Sequence, residues 1–151
     1  HVPLGLRRHG LSRFHVPLLI YAPNLIPEAK RISRLSSSVD IFPTMAGILG
    51  LPFTNTTMGR NIYSSEFSDR KIFTYVHHTL PPEIGAMDEQ FYVRGPIGRK
   101  MLGMFKYKSD DPEKDYSELL PEKFKELSNF ARAYYETSKY MLRNNPNLVE
   151  E

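Results

Sequence analysis

The 151 residues contain no cysteine, which excludes disulfides and thiolate metal sites within the segment. No stretch approaches the ~18 consecutive apolar residues that a membrane-spanning helix needs. Glycine-rich phosphate loops and the dinucleotide fingerprint are absent. So are the G-x-S-x-G nucleophile elbow, H-E-x-x-H and C-x-x-C. No serine or threonine stands in a context that marks an activated nucleophile. The chain opens on His1 rather than Met, hard against VPLGL, with no signal-peptide pattern. A piece of a longer polypeptide is therefore the expectation.

What is present is globular in composition: 40% of residues are hydrophobic and 25% charged. The formal net charge is +3, a mild excess with acids and bases interleaved. It lacks the one-faced basic excess of a nucleic-acid surface, so no nucleic-acid partner is expected. The densest basic cluster is Arg7, Arg8 and Arg13, followed by Lys30, Arg31 and Arg34. Two readings stay open for it: a local phosphate or sulfate site, or a solvated loop.

The pattern suggests the following elements. HVPLLIYA, His15 to Ala22, has the continuous apolar run of a strand buried on both faces, as in a parallel sheet. Pro17 suits its first position and Pro23 its end. Residues 28–38 read as a polar loop. Val39 to Gly50 reads as a short helix, with Asp40 as N-cap, Pro43 in the first turn and Gly50 as its stop. Lys71 to Val76, Gln90 to Arg94 and Lys100 to Lys108 have strand composition. Gly95 to Gly98 reads as the hairpin connection between the last two. The alternation Met101, Gly103, Phe105, Tyr107 predicts a half-buried antiparallel strand. Pro121 opens a long helix that Asn144-Asn145-Pro146 stops, and Phe124, Leu127, Ala131, Tyr134, Ser138 and Met141 form its apolar face.

Chemistry-bearing residues cluster early. His1, His9 and His15 precede the apolar run, and neutral imidazole binds divalent metals well. No close carboxylate pair accompanies them. His77-His78 follows a strand, a place where side chains often face α/β clefts, though solvent-facing histidines are the plainer alternative. Asp40 is a conceivable metal ligand, but helix capping accounts for it with fewer assumptions. The segment reads as half of an active site: anion-friendly, metal-capable and without a nucleophile.

The stretch RFHVPLLIYAPNLIPEAKRISRLSSSVDIFPTMAGILGLP, closing with MGRNIY, resembles the C-terminal part of the sulfatase branch of the alkaline phosphatase superfamily. Within that branch it is most similar to lipoteichoic-acid-synthase-like phosphoglycerol transferases of bacteria. The pieces that carry the resemblance are Val16 to Pro23, Ser38 to Leu51 and Gly59 to Ile62, within residues 1–65. The tail ELLPEKFKELSNFARAYYETSKYMLRNN is similar to the group's terminal helix, less specifically.

The resemblance implies an α/β fold: the C-terminal part of an alkaline-phosphatase-like α/β/α sandwich, with an antiparallel hairpin and a long C-terminal helix. Residues 1–65 would end the core sheet and its helix, 66–110 would supply strands and hairpin, and 116–145 the closing helix. It implies a metal-dependent hydrolase or transferase of phosphate or sulfate esters. The nucleophile would lie upstream, with one or two divalent ions (Mn, Zn, Mg or Ca) as Lewis acid and template. His1 would be the His of a metal-binding Asp-His pair. His9, in an HG context, resembles a substrate-side histidine. With Arg13 it would contact the ester, and His15 is a remoter metal candidate. The parent would be membrane-anchored with an extracytoplasmic catalytic domain. The isolated segment would be inactive, its partners being the ester substrate and the N-terminal part of its own domain. An exposed apolar sheet edge would also invite self-association. A true sulfatase or a phosphoethanolamine transferase is the nearest alternative, and a non-enzymatic binding module the more distant one.

Overall fold

A computed structural model describes residues 4–64 and 69–145. Four antiparallel strands form one sheet in the order β1-β2-β3-β4: β1 Ile72–Val76, β2 Glu83–Met87, β3 Tyr92–Pro96 and β4 Gly103–Phe105. Helix α1 (Leu4–Arg8) and a 3-10 turn at Leu11–Arg13 precede the sheet. They are followed by α2 (Ile41–Leu49), and the chain closes on α3 (Pro121–Arg143). The architecture is mixed α/β with an antiparallel sheet and a long C-terminal helix, as expected.

The register explains why both faces of the sheet are buried. Phe73 pairs with Ala86, Ala86 with Val93 and Val93 with Met104, so these side chains share one face. The stripe of α3 covers that face. Leu127, Ala131, Ala86, Val93 and Met104 are all fully buried there. Phe73 stacks on Tyr134 at 4.8 Å between ring centroids. The opposite face presents Met87 and Tyr92, and it is covered by Leu6, Leu11 and Tyr107. Gly5 lets α1 approach this closely, since a Cβ there would lie 1.9 Å from the Tyr107 carbonyl oxygen.

The β2–β3 turn is keyed by Asp88. Its Oδ1 accepts the backbone N–H groups of Gln90 and Phe91, and its Oδ2 lies 2.9 Å from Lys123 Nζ on α3. Lys71, at the foot of β1, reaches Glu126 on the same helix at 2.8 Å. Helix and sheet are thus joined by ion pairs at the margin of their apolar contact.

Three expectations need correction. The strand over His15 to Ala22 does not form. Val16 is 78% exposed, Leu19 91% and Tyr21 87%, and no backbone hydrogen bond engages Pro17 to Tyr21 among the described residues. A strand apolar on both faces needs a neighbour at its edges and cover on two sides, and the described residues supply neither. Consequently no parallel pairing occurs among them, and the sheet is organised around β2 and β3 instead.

The second correction concerns the hairpin. Gly95 and Pro96 lie inside β3, and the turn falls at Ile97 to Leu102, with Gly98 at φ 74°. Met101, Gly103 and Tyr107 are buried as the alternation suggests, but Met104, off that alternation, is fully buried as well, packed in the cluster with Leu127 and Ala131 of α3.

Third, Asp40 stands at the N-cap of α2 as expected, but its side chain caps no N–H of that helix. Ser38–Asp40 is a 3-10 turn with Ser37 as its N-cap, and the Asp40 carboxylate reaches back to the Ser37 N–H at 2.7 Å. Helix α2 ends on Gly50 at φ 63°, as its sequence suggests.

Candidate functional site

Arg13 and His78 meet in space, although 65 positions separate them. The 3-10 turn after α1 presents Arg13, and the turn after β1 presents His78. Arg13 Nη1 lies 2.8 Å from His78 Nε2 and 3.2 Å from Nδ1. A guanidinium only donates, so the imidazole nitrogen that pairs with it is the acceptor. The His77 ring stands edge-on to His78, 5.7 Å away. All three side chains are exposed. One permanent cation and two imidazoles therefore share a solvent-facing corner, with donors suited to an oxyanion.

His9 lies elsewhere. It is buried, and its Nε2–H donates to the Pro112 carbonyl at 2.6 Å. Its ring packs against Phe105 at 4.6 Å and Tyr92 at 5.9 Å. Nδ1 is buried with no partner. Burial depresses its pKa, with Arg94 adding to the effect, while the Pro112 bond and Glu113 work against it. In this structure His9 secures the turn after α1 to the loop at Pro112. His15 is exposed and His1 lies outside the described residues. No group of three or more His, Asp or Glu side chains converges among the described residues.

The other basic residues are partly committed. Arg34 donates to the carbonyls of Ile62 and Ser64 at 3.0 and 2.7 Å. Lys30 and Arg31 are exposed.

The VDIFPT and MGRNIY segments, 20 positions apart, interlock through Asp40. Its Oδ1 accepts the Arg60 N–H at 2.8 Å, and its Oδ2 accepts Ser37 N–H and Arg70 Nη2. Thr44 Oγ1 donates to the Asp40 carbonyl and accepts the Ile62 N–H. Gly59 is required by contact, since a Cβ there would lie 1.8 Å from the Val39 carbonyl oxygen. Arg70 had no signal in the sequence. It is one charged residue in a polar stretch, and only the fold brings it to Asp40.

No known family and no curated protein matches the sequence. Among solved structures, one described as BT4656 in complex with its substrate D-glucosamine-2-N,6-O-disulfate is similar at 17% identity and a TM-score of 0.48. The likeness covers 76% of this chain and 27% of that one, so the chain spans about a quarter of that structure's length. No helix among the described residues is long and apolar enough to cross a membrane.

Proposed function

We propose that these residues are the C-terminal portion of a sulfatase-like, metal-dependent hydrolase or transferase acting on phosphate or sulfate esters. The phosphoglycerol transferases are the nearest kind. The reading rests on the motifs and on one structural observation: Leu18 to Tyr21 is apolar and unpaired, with Leu18, Leu19 and Tyr21 exposed. That is the state of an interior strand without its sheet. Residues 1–65 end the core sheet in this reading, 66–110 add strands, and 116–145 close the domain.

The Arg13–His78 corner is this segment's contribution to binding the ester. The guanidinium neutralises a nonbridging oxygen and His78 lies within reach of the same anion. The divalent ion supplies Lewis-acid chemistry in the parent. Its ligands lie mainly outside the described residues, with His1 the candidate from this segment. Anchoring to a membrane belongs to the parent and not to these helices.

The test is an assay of the 151-residue chain with chromogenic phosphate and sulfate esters plus Mn²⁺ or Zn²⁺. No turnover is expected from it, while the longer polypeptide that precedes and includes these residues turns the ester over. In that longer protein Arg13→Ala lowers kcat/KM by roughly tenfold or more. Robust turnover by the 151 residues alone refutes the reading. Saturable ligand binding without turnover by the longer protein favours a binding module instead. A sulfate-over-phosphate preference selects the true-sulfatase alternative.

A further inference from the structure

The contact between Arg13 and His78 is conditional on protonation. Arg13 Nη1 lies 2.8 Å from His78 Nε2. The guanidinium can only donate, so the bond needs a ring nitrogen with a free lone pair. A protonated imidazole has none, because both of its nitrogens then donate. Protonation therefore turns a hydrogen bond into two adjoining cations. Among the described residues, neither side chain is ion-paired with a carboxylate that could relieve their repulsion.

The other titratable groups around the corner do not change this. His77, from the same turn, stands edge-on to His78 at 5.7 Å and can only add positive charge. Arg7, Arg8 and His15, which flank Arg13 in the chain, are exposed and carry no negative charge. Glu83 of the neighbouring strand β2 pairs in register with Val76, but its carboxylate is turned to Arg94, 3.7 Å away. The acceptor for two adjoining cations must then come from solvent. Arg13 and His78 are both exposed, so their donors are open to it. A tetrahedral oxyanion fits, since one oxygen can accept from Arg13 and another from His78.

Given that this corner seats the ester, we infer that it takes up its oxyanion together with one proton from solvent, which His78 holds. Without the anion, His78 accepts from Arg13. With the anion seated, His78 is protonated, and the two side chains donate to different oxygens. The linkage is reciprocal: the anion favours the proton, and acid favours the anion. An imidazole of ordinary pKa, about 6.5, that must be protonated for binding changes affinity by at most about tenfold between about pH 5.5 and about pH 7.5.

The experiment is a titration of the 151-residue chain with inorganic sulfate, against chloride at matched ionic strength and at concentrations where the chain is monomeric. Amide NMR shifts of Arg13, His77 and His78 follow it at a series of pH values. Sulfate keeps both of its charges throughout, so any pH dependence belongs to the protein. The dissociation constant should rise about fivefold or more from about pH 5.5 to about pH 7.5. Calorimetry in buffers of differing ionisation enthalpy should show proton uptake on binding. His78→Gln can still accept from Arg13 but does not titrate, so its dissociation constant should stay flat across that range. His77→Gln should keep the native slope. Both positions are exposed, and such substitutions leave the fold intact. A pH-independent affinity, or a slope that survives in His78→Gln, overturns the coupling but not the ester reading, which kcat/KM of Arg13→Ala in the longer protein decides separately. Loss of the slope in His77→Gln overturns it by assigning the proton to the other ring. Absence of saturable binding at every pH overturns it as well.

Discussion

Asp40 Oδ2 and Arg70 Nη2 lie 2.6 Å apart, and each side chain is 5% exposed. The pair joins the 3-10 turn before α2 to the residue just ahead of β1. Removing one partner strands a charge where water cannot reach it. Asp40→Ala also deprives the Ser37 and Arg60 N–H groups of their acceptor. Urea unfolding should show a loss of about 3–5 kcal/mol for Asp40→Ala. A loss under about 1 kcal/mol would mean that the pair is dispensable, as exposed pairs usually are.

His9 predicts a pH dependence of stability. Burial holds its folded-state pKa below the ordinary value of 6.5. The unfolded chain therefore binds this proton first as pH falls. Stability from the neutral, buried ring is complete above about 6.5 and declines from there toward the lower folded-state pKa. One proton limits the slope to about 1.4 kcal/mol per pH unit. Gln at this position can still donate to the Pro112 carbonyl but does not titrate. Unfolding free energies measured from pH 8 to pH 5 should show the His9 slope in the native chain and its removal in His9→Gln. An identical slope in both would assign the titration elsewhere.

Legibility of the fold varied with how local its causes are. Helix α3 was readable because its face repeats every three to four residues and Pro121 marks its start. The ends of α2 were readable from VDIFPT and Gly50 for the same reason. Strand β2, EIGAM, gave no signal. It is buried on both faces and carries Gly85, so neither alternation nor β-branched density marks it. The opposite failure occurred at HVPLLIYA, where the side chains are those of a buried strand but the described residues provide nothing to bury it. At the candidate site, Arg13 and the two neighbouring histidines stood out by type, yet their meeting depends on where β1 ends. His9 drew attention by its chemistry, and the fold uses it to hold a loop.

The uncovered stretch makes a prediction about association. Leu19 is 91% exposed within an unpaired, β-prone run, and such an edge recruits other strands. The isolated chain should self-associate as its concentration rises. Leu19→Lys should shift light-scattering mass toward the monomer while changing unfolding free energy by no more than about 0.5 kcal/mol. If the native chain stays monomeric at high concentration, the edge is not adhesive.

The central claim is that Leu18 to Tyr21 is an interior strand completed by polypeptide outside these residues. Hydrogen exchange at the amides of Leu18, Leu19, Ile20 and Tyr21 tests it most directly. It should be measured in the 151-residue chain at concentrations where it is monomeric, and in the longer protein that contains it. The account predicts near-unprotected exchange in the first and strong protection in the second. Equal exchange in both, whether fast or slow, would contradict it.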